Sequence, residues 1–279
     1  MESGNVEIGF LNWVIANNFA YTTGYPLEPV EKTGREILQQ LQLYSADSVL
    51  PIFLQIRLPI RYFLGNEENE IDWEELTNFN PDNNDKSDTY PSSFGFLGRL
   101  ELALFFGELE LAEKMSNGLQ QYLVHEASYA IMVKNMFYSG LTFSGLARKG
   151  GAKAGRYRSK AASLSRDMDK ISRTKGLNPL HKALIMKADL LACHTSDTVK
   201  VSRVYDEGIG AAMKLGYVQD AALASEIAGE FFLSMFDHAR ARQYICQARD
   251  LYQEVSLCLY LWWCNDYERR VLLQLEIVQ

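Results

Sequence analysis

The chain has 279 residues, 47% of them apolar and 23% charged, with a net charge of −7. That composition allows an ample core, and the acidic balance argues against general nucleic-acid binding, because affinity for phosphate requires a basic surface. No stretch reaches the ~18 consecutive apolar residues of a membrane span, the nearest being 257–264.

In chain order, residues 4–23 read as a helix with Phe10, Trp13, Val14 and Tyr21 on one stripe and Asn17 inside it. Gly24 and Pro26 stop it, and Pro29 suits the first turn of a second helix carrying Val30, Ile37, Leu38 and Leu41. Residues 46–64 are almost continuously apolar. Pro51 suits a first turn after Ser45 or Ser48, and Pro59 is expected to kink or split the helix. A strand over 51–58 is the alternative, against which the helical neighbours argue.

Residues 65–91 carry nine acidic side chains against Lys86, a local charge of about −8, and read as a long loop docked through Ile71, Trp73, Leu76 and Phe79. Helical spacing resumes at 92, with a hairpin over 96–106 and 109–123 and an apolar helix over 128–146. A basic helix over 153–175 follows, then amphipathic helices over 179–193 and 198–215.

The clearest pair lies at 218–255. Ala224, Ile227, Ala228, Phe231, Phe232 and Met235 recur at helical period, as do Ala241, Tyr244, Ile245, Ala248, Leu251, Tyr252 and Val255, with Asp237-His238 as break and N-cap. A last helix is expected over 258–277. The fold predicted is all-α: roughly twelve helices in antiparallel pairs, stacked as a tetratricopeptide-like superhelix (an α-solenoid). It forms a single domain over 1–279, interrupted by the acidic loop 65–91.

The four cysteines, Cys193, Cys246, Cys258 and Cys264, form no CxxC pair, and Met1-Glu-Ser-Gly lacks the basic start and apolar core of a secretory signal. Reduced thiols and a cytoplasmic location are expected. Gly150-x4-Gly155 is followed by Arg156-Tyr157 rather than Lys-Ser/Thr, and no strand precedes it. It reads as a helix connector, not a phosphate loop. His125, His181, His194 and His238 fall in no metal-ligand spacing, so no metal or other cofactor is expected. Asp189, in an apolar helix, is expected to pair with Lys187 or Lys182 or to face solvent.

Residues 148–175 hold ten basic side chains against Asp167 and Asp169, a local charge of about +8. They read first as a solvated outer face, then as a docking face for an acidic partner, and last as a surface for nucleic acid or anionic lipid. Tyr157 as the only aromatic weakens single-strand stacking. Attraction between this segment and the acidic loop is a further expectation. The candidate docking surface comprises Arg148, Lys149, Lys153, Arg156, Arg158 and Lys160, with Trp262 and Trp263 of an aromatic group that reads as core or as a recognition surface.

The stretch from Ala222 to Tyr252 resembles the last repeat of the tetratricopeptide-like helical region of very large signalling proteins. There the region lies between an AAA/STAND-type ATPase module, often behind a kinase-like domain, and a GAF plus histidine-kinase output. Gly4-Asn5-Val6-Glu7 with Gly24-Tyr-Pro-Leu-Glu-Pro-Val30 is similar to that region's helix–turn–helix. The run 96–106 with Gly107-Glu108-Leu109-Glu110, then Asn178-Pro179-Leu180-His181-Lys182 and Ala188-Asp189-Leu190, continue the resemblance in order over nearly the whole chain. After Tyr252 the family's Trp-Gly-Ala step is replaced by Gln-Glu-Val-Ser, and the resemblance stops there.

Neither an ATPase nor a kinase motif is present. The resemblance therefore implies the scaffold or relay part of such a protein: non-enzymatic, with a protein partner or neighbouring domains to contact. The helical start and the end in Leu-Glu-Ile-Val-Gln are expected either of a segment of a longer polypeptide or of a truncated reading frame. The alternative is an all-α enzyme or small-ligand binder with an inter-helix pocket, for which Asn17, Asn18, Asn135 and Asp189 are the polar candidates.

Overall fold

The clearest periodic stretch folds as its spacing requires. Helices over 218–234 and 238–254 pair, and Ala224, Ile227, Ala228, Phe231 and Phe232 are buried, as are Ala241, Tyr244, Ile245, Ala248, Leu251 and Tyr252. Their backbones come close at Gly229, where a Cβ would lie 2.6 Å from Ile245 Cγ1 and 3.3 Å from its backbone nitrogen. Asp237 caps the second helix, its carboxylate accepting the Arg240 N–H at 3.2 Å.

The computed structural model describes residues 3–65, 73–79, 89–122, 129–174 and 179–255. Among these every regular element is helical: α1 (Ser3–Thr22), α2 (Leu27–Leu43), α3 (Leu50–Leu64), the short α4 (Trp73–Thr77), α5 (Thr89–Phe105) and α6 (Leu109–Leu119), then α7 (Tyr129–Lys149), α8 (Ala154–Ser172), α9 (Leu180–Ala192), α10 (Thr198–Lys214), α11 (Val218–Ser234) and α12 (His238–Glu254). Consecutive long helices pack against one another, and α1, α3, α5, α7, α9 and α11 also touch in succession. The result is an inner layer of these six and an outer layer of α2, α6, α8, α10 and α12. This is the all-α stack of helix pairs that the periodicity predicts.

Several expectations need correction. The helix α3 continues through Pro59 without a break, which also removes the strand alternative over 51–58. Trp13 is 37% exposed rather than core. The expected helix over 258–277, with Trp262 and Trp263, lies outside the described residues, as do Ile71 and most acidic side chains of 65–91. The loop's docking is visible at 73–79: Leu76 is buried, and Phe79 meets the Phe96 ring edge-on at 5.0 Å with the Arg99 guanidinium 4.1 Å from its centroid.

Five of the inter-helix turns share one construction. Tyr25 N–H donates to Ala20, Ala46 to Leu41, Glu108 to Ala103, Tyr217 to Ala212 and Asp237 to Phe232, each closing a six-residue helix-stop turn. The turn needs one residue of positive φ. Gly24, Gly107 and Gly216 supply it in three turns, but Ser45 (φ 49°) and Phe236 (φ 59°) in two. Phe236 is 82% exposed, so its ring gains little from burial while its backbone bears the left-handed penalty of about 1–2 kcal/mol. Phe236→Gly is therefore expected to stabilise the chain by about 1 kcal/mol, raising Tm by roughly 2–4 °C in a thermal melt. A lower Tm would show that the exposed ring makes a contact outweighing the strain.

The stack also closes on itself. The Leu27 N–H donates to the Val255 carbonyl at 3.3 Å. At the adjoining turn, a Cβ on Gly24 would lie 2.7 Å from the Gly216 carbonyl oxygen and 3.2 Å from the Val218 nitrogen. One continuous apolar core accordingly runs from Tyr21 and Leu27 to Tyr252 and Val255. Phe105 lies at its middle, with Phe63, Tyr252 and Tyr138 at centroid distances of 4.9, 6.2 and 6.4 Å.

Candidate functional site

The helix α1 is apolar around most of its circumference. Phe10, Val14 and Tyr21 face inward and are buried, whereas Ile8, Leu11, Ile15 and Phe19, spaced by three and four residues, form a second apolar stripe that remains exposed, Phe19 by 60%. An all-round apolar helix is normally covered on every side. Here the outer stripe borders a cavity of about 480 Å3 between α1, α3, α5 and α7. Its walls are Leu11, Ile15 and Phe19 of α1, Ile52 and Pro59 of α3, Phe94 and Leu97 of α5, and Ile131 of α7.

Polar groups converge at one end of this cavity. Glu101 of α5, 2% exposed, accepts a hydrogen bond from the Tyr138 hydroxyl at 2.6 Å. The Lys134 ammonium stands 3.3–3.4 Å from both of its oxygens and 4.7 Å from the Tyr21 ring centroid. Tyr21, 2% exposed, lines the cavity, and its hydroxyl lies near Glu101 without a hydrogen bond of normal geometry. Burial first, and the Glu101 charge second, hold the Tyr21 and Tyr138 phenols well above the ordinary tyrosine value, so both remain donors. Gln55 and Asn18 also reach the cavity.

Behind this floor the inner layer holds a second charged group. Asp220 of α11 is bonded to the Lys182 ammonium and, at 2.8 Å, to His181 Nε2, both from α9. The His181 ring stacks on Tyr217 at 4.2 Å, and Lys182 lies 4.3 Å from the Phe137 centroid. Burial alone would raise the Asp220 pKa, but Lys182 and His181 outweigh it and hold the carboxyl well below the usual range. Burial pushes His181 and Lys182 down, despite the pull of Asp220. Every inner helix but α3 thus contributes to a polar line through the stack: Tyr21, Glu101, Lys134 and Tyr138, His181 and Lys182, and Asp220.

The sequence-derived candidates distribute differently. Arg148 does not belong to an outer docking face: its guanidinium is bonded to fully buried Asp189, which also accepts the Tyr205 hydroxyl at 2.9 Å. Asp189 therefore pairs with neither Lys182 nor Lys187. Lys182, two helical turns before Asp189 on α9, is held instead by Asp220 of α11, and Lys187 is exposed. Lys149 reaches Glu110 at 3.2 Å, Tyr157 donates to Glu113 at 2.7 Å, and Lys160 donates to Asn117 at 3.2 Å. One face of α6 thus partners Lys149, Tyr157 and Lys160 of the basic segment, while Lys170 and Arg173 pair with Asp167 and Asp169 within it. Lys153 and Arg156 are exposed and Arg158 is half-buried.

Of the four polar residues considered for an inter-helix pocket, Asn18 alone lines the cavity. Asn17 lies toward Gly34 of α2, Asn135 accepts from Ser139, and Asp189 sits between α7, α9 and α10. Glu101 and Lys134 escape sequence reasoning, and Tyr21 reads only as part of the α1 stripe, because no motif spacing links the three. The available signal was an acid inside the apolar run around Leu100–Leu104, at a position whose period places it on the core side.

The Cys193 thiol, half-buried against the Ser144 carbonyl at 3.4 Å, is pushed up to about 11 chiefly by burial, while neighbouring His194 is exposed. Among the described residues no three His, Cys, Asp or Glu side chains are grouped to hold a metal ion, and no helix is long and apolar enough to cross a membrane. No family model, curated protein or solved structure matches the chain.

Proposed function

We propose that the chain is a non-enzymatic helical-repeat scaffold that relays contacts between protein partners, or between neighbouring domains, of a larger signalling assembly in the cytoplasm. The observation that carries this reading is the junction of the first turn with the last helix pair. In an ordinary repeat array each unit touches only its neighbours, so its ends respond independently. Here the Leu27–Val255 hydrogen bond and the Gly24–Gly216 approach join the ends directly. A partner that shifts α12 acts on the α1–α2 turn at the same moment. The likeness of 222–252 to the last repeat of a signalling relay region supports the same reading.

The test uses photo-crosslinkers at positions 25 and 215, exposed on either side of the junction, in the source cell. Both are expected to capture the same protein partner. Gly24→Val, which forces a side chain into the contact at 2.7 Å, is expected to remove that adduct while helical content by circular dichroism is unchanged. Adducts indifferent to Gly24→Val, or the lack of any discrete adduct, would overturn the proposal.

A further inference from the structure

We infer that the cavity between α1, α3, α5 and α7 is a binding site for a small neutral amphiphile with a hydroxyl head, such as a medium-chain alcohol. This goes beyond the relay reading and does not depend on it. At about 480 Å3 the space falls within the range of small-molecule sites, roughly 300–1,000 Å3, and has their usual make-up of apolar walls with a few convergent polar groups.

The floor specifies the head group. Buried Tyr21 lines the cavity, and its hydroxyl stands beside Glu101 without a hydrogen bond of normal geometry, so an acceptor on a ligand would complete it. Lys134 uses its ammonium on Glu101 at 3.3–3.4 Å, long enough to leave donors to spare. The Lys134 contact to Glu101 Oε2 is long, 3.3 Å, so that oxygen can accept one more hydrogen bond. A hydroxyl accepts from Tyr21 or Lys134 and donates to Glu101, satisfying both sides at once. The Glu101–Lys134 pair is neutral as a unit. A carboxylate or ammonium head would leave a net charge in a desolvated site, which is disfavoured unless it too is paired. The alkyl chain then lies along Leu97, Ile131 and the outer stripe of α1, where Ile15 and Phe19 are exposed.

The experiment is calorimetric titration of the full chain with decanol, decanoate and decylamine below their aggregation limits. Decanol is expected to bind saturably at one site and at least tenfold more tightly than either charged analogue. Tyr21→Phe is expected to weaken decanol about three- to tenfold, the effect of one hydrogen bond. Leu97→Trp, which fills the cavity, is expected to abolish binding. Ile15→Trp, at the exposed mouth where folding is not at risk, is expected to weaken it in a chain with unchanged circular dichroism. Equal binding of all three probes, non-saturable uptake, or binding unaffected by both tryptophan variants would overturn the inference.

Discussion

Asp220→Asn is expected to lower the unfolding free energy by about 3–5 kcal/mol at neutral pH, a fall in Tm of roughly 6–20 °C. Asp220 is the shared anion for His181 and Lys182, and all three side chains are buried. Removing its charge takes the bonded counterion from the Lys182 ammonium, which stays in the core between the faces of Phe137 and Tyr217, at 4.3 and 5.6 Å. Stranding one member of a buried pair is far more costly than losing an exposed one.

The same group sets the acid limb of the stability curve. His181 has its folded pKa depressed, so as pH falls through about 6.5 the unfolded chain takes up a proton that the folded chain refuses, and stability declines. Asp220 is depressed as well, so its contribution is complete above about pH 4 and is lost as pH falls below that value. Urea unfolding of the wild type between about pH 8 and pH 3 should show stability falling in both windows. In Asp220→Asn the lower one should be shallower, because Glu110, whose carboxyl is also held below its ordinary value, still loses its charge there. A variant as stable as the wild type at pH 7, or an unchanged lower window, would rule out Asp220 as the central anion.

The second large effect is expected at Asp189. Its carboxylate, 0% exposed, holds Arg148 of α7 and the Tyr205 hydroxyl of α10, so it ties three helices together. Asp189→Asn is expected to cost about 3–5 kcal/mol, because Arg148 cannot discharge itself by losing a proton and stays charged without a counterion. The pair as a unit need not be stabilising. Arg148→Met combined with Asp189→Leu removes both charges and is expected to recover most of the loss. A double-variant cycle in denaturant unfolding measures this directly, and a strongly favourable coupling energy between the two positions is the expected outcome. Single-variant losses below about 1 kcal/mol would mean that the pair is solvated rather than structural.

Much of the fold is a local property of the chain and was legible for that reason. Helical period depends on residues three and four apart, so the buried faces of α11 and α12 could be named from spacing alone. The Asp237 cap and the stops at Gly24, Gly107 and Gly216 are likewise decided within one turn of chain. What spacing cannot reveal is which other helix a face will meet. Arg148 and Asp189 lie 41 residues apart, Lys182 and Asp220 lie 38 apart, and Leu27 meets Val255 across almost the whole chain. The winding of the stack selected those partners, and it placed Lys182 beside Asp220 rather than Asp189. The cavity has the same origin. In sequence α1 is an apolar helix with Trp13 on its best stripe, but α2 and α3 cover only the side of Phe10 and Val14. Ile15 and Phe19 are thereby left at the mouth, and Tyr21, Glu101 and Lys134, from three helices without a shared motif, come together beneath them.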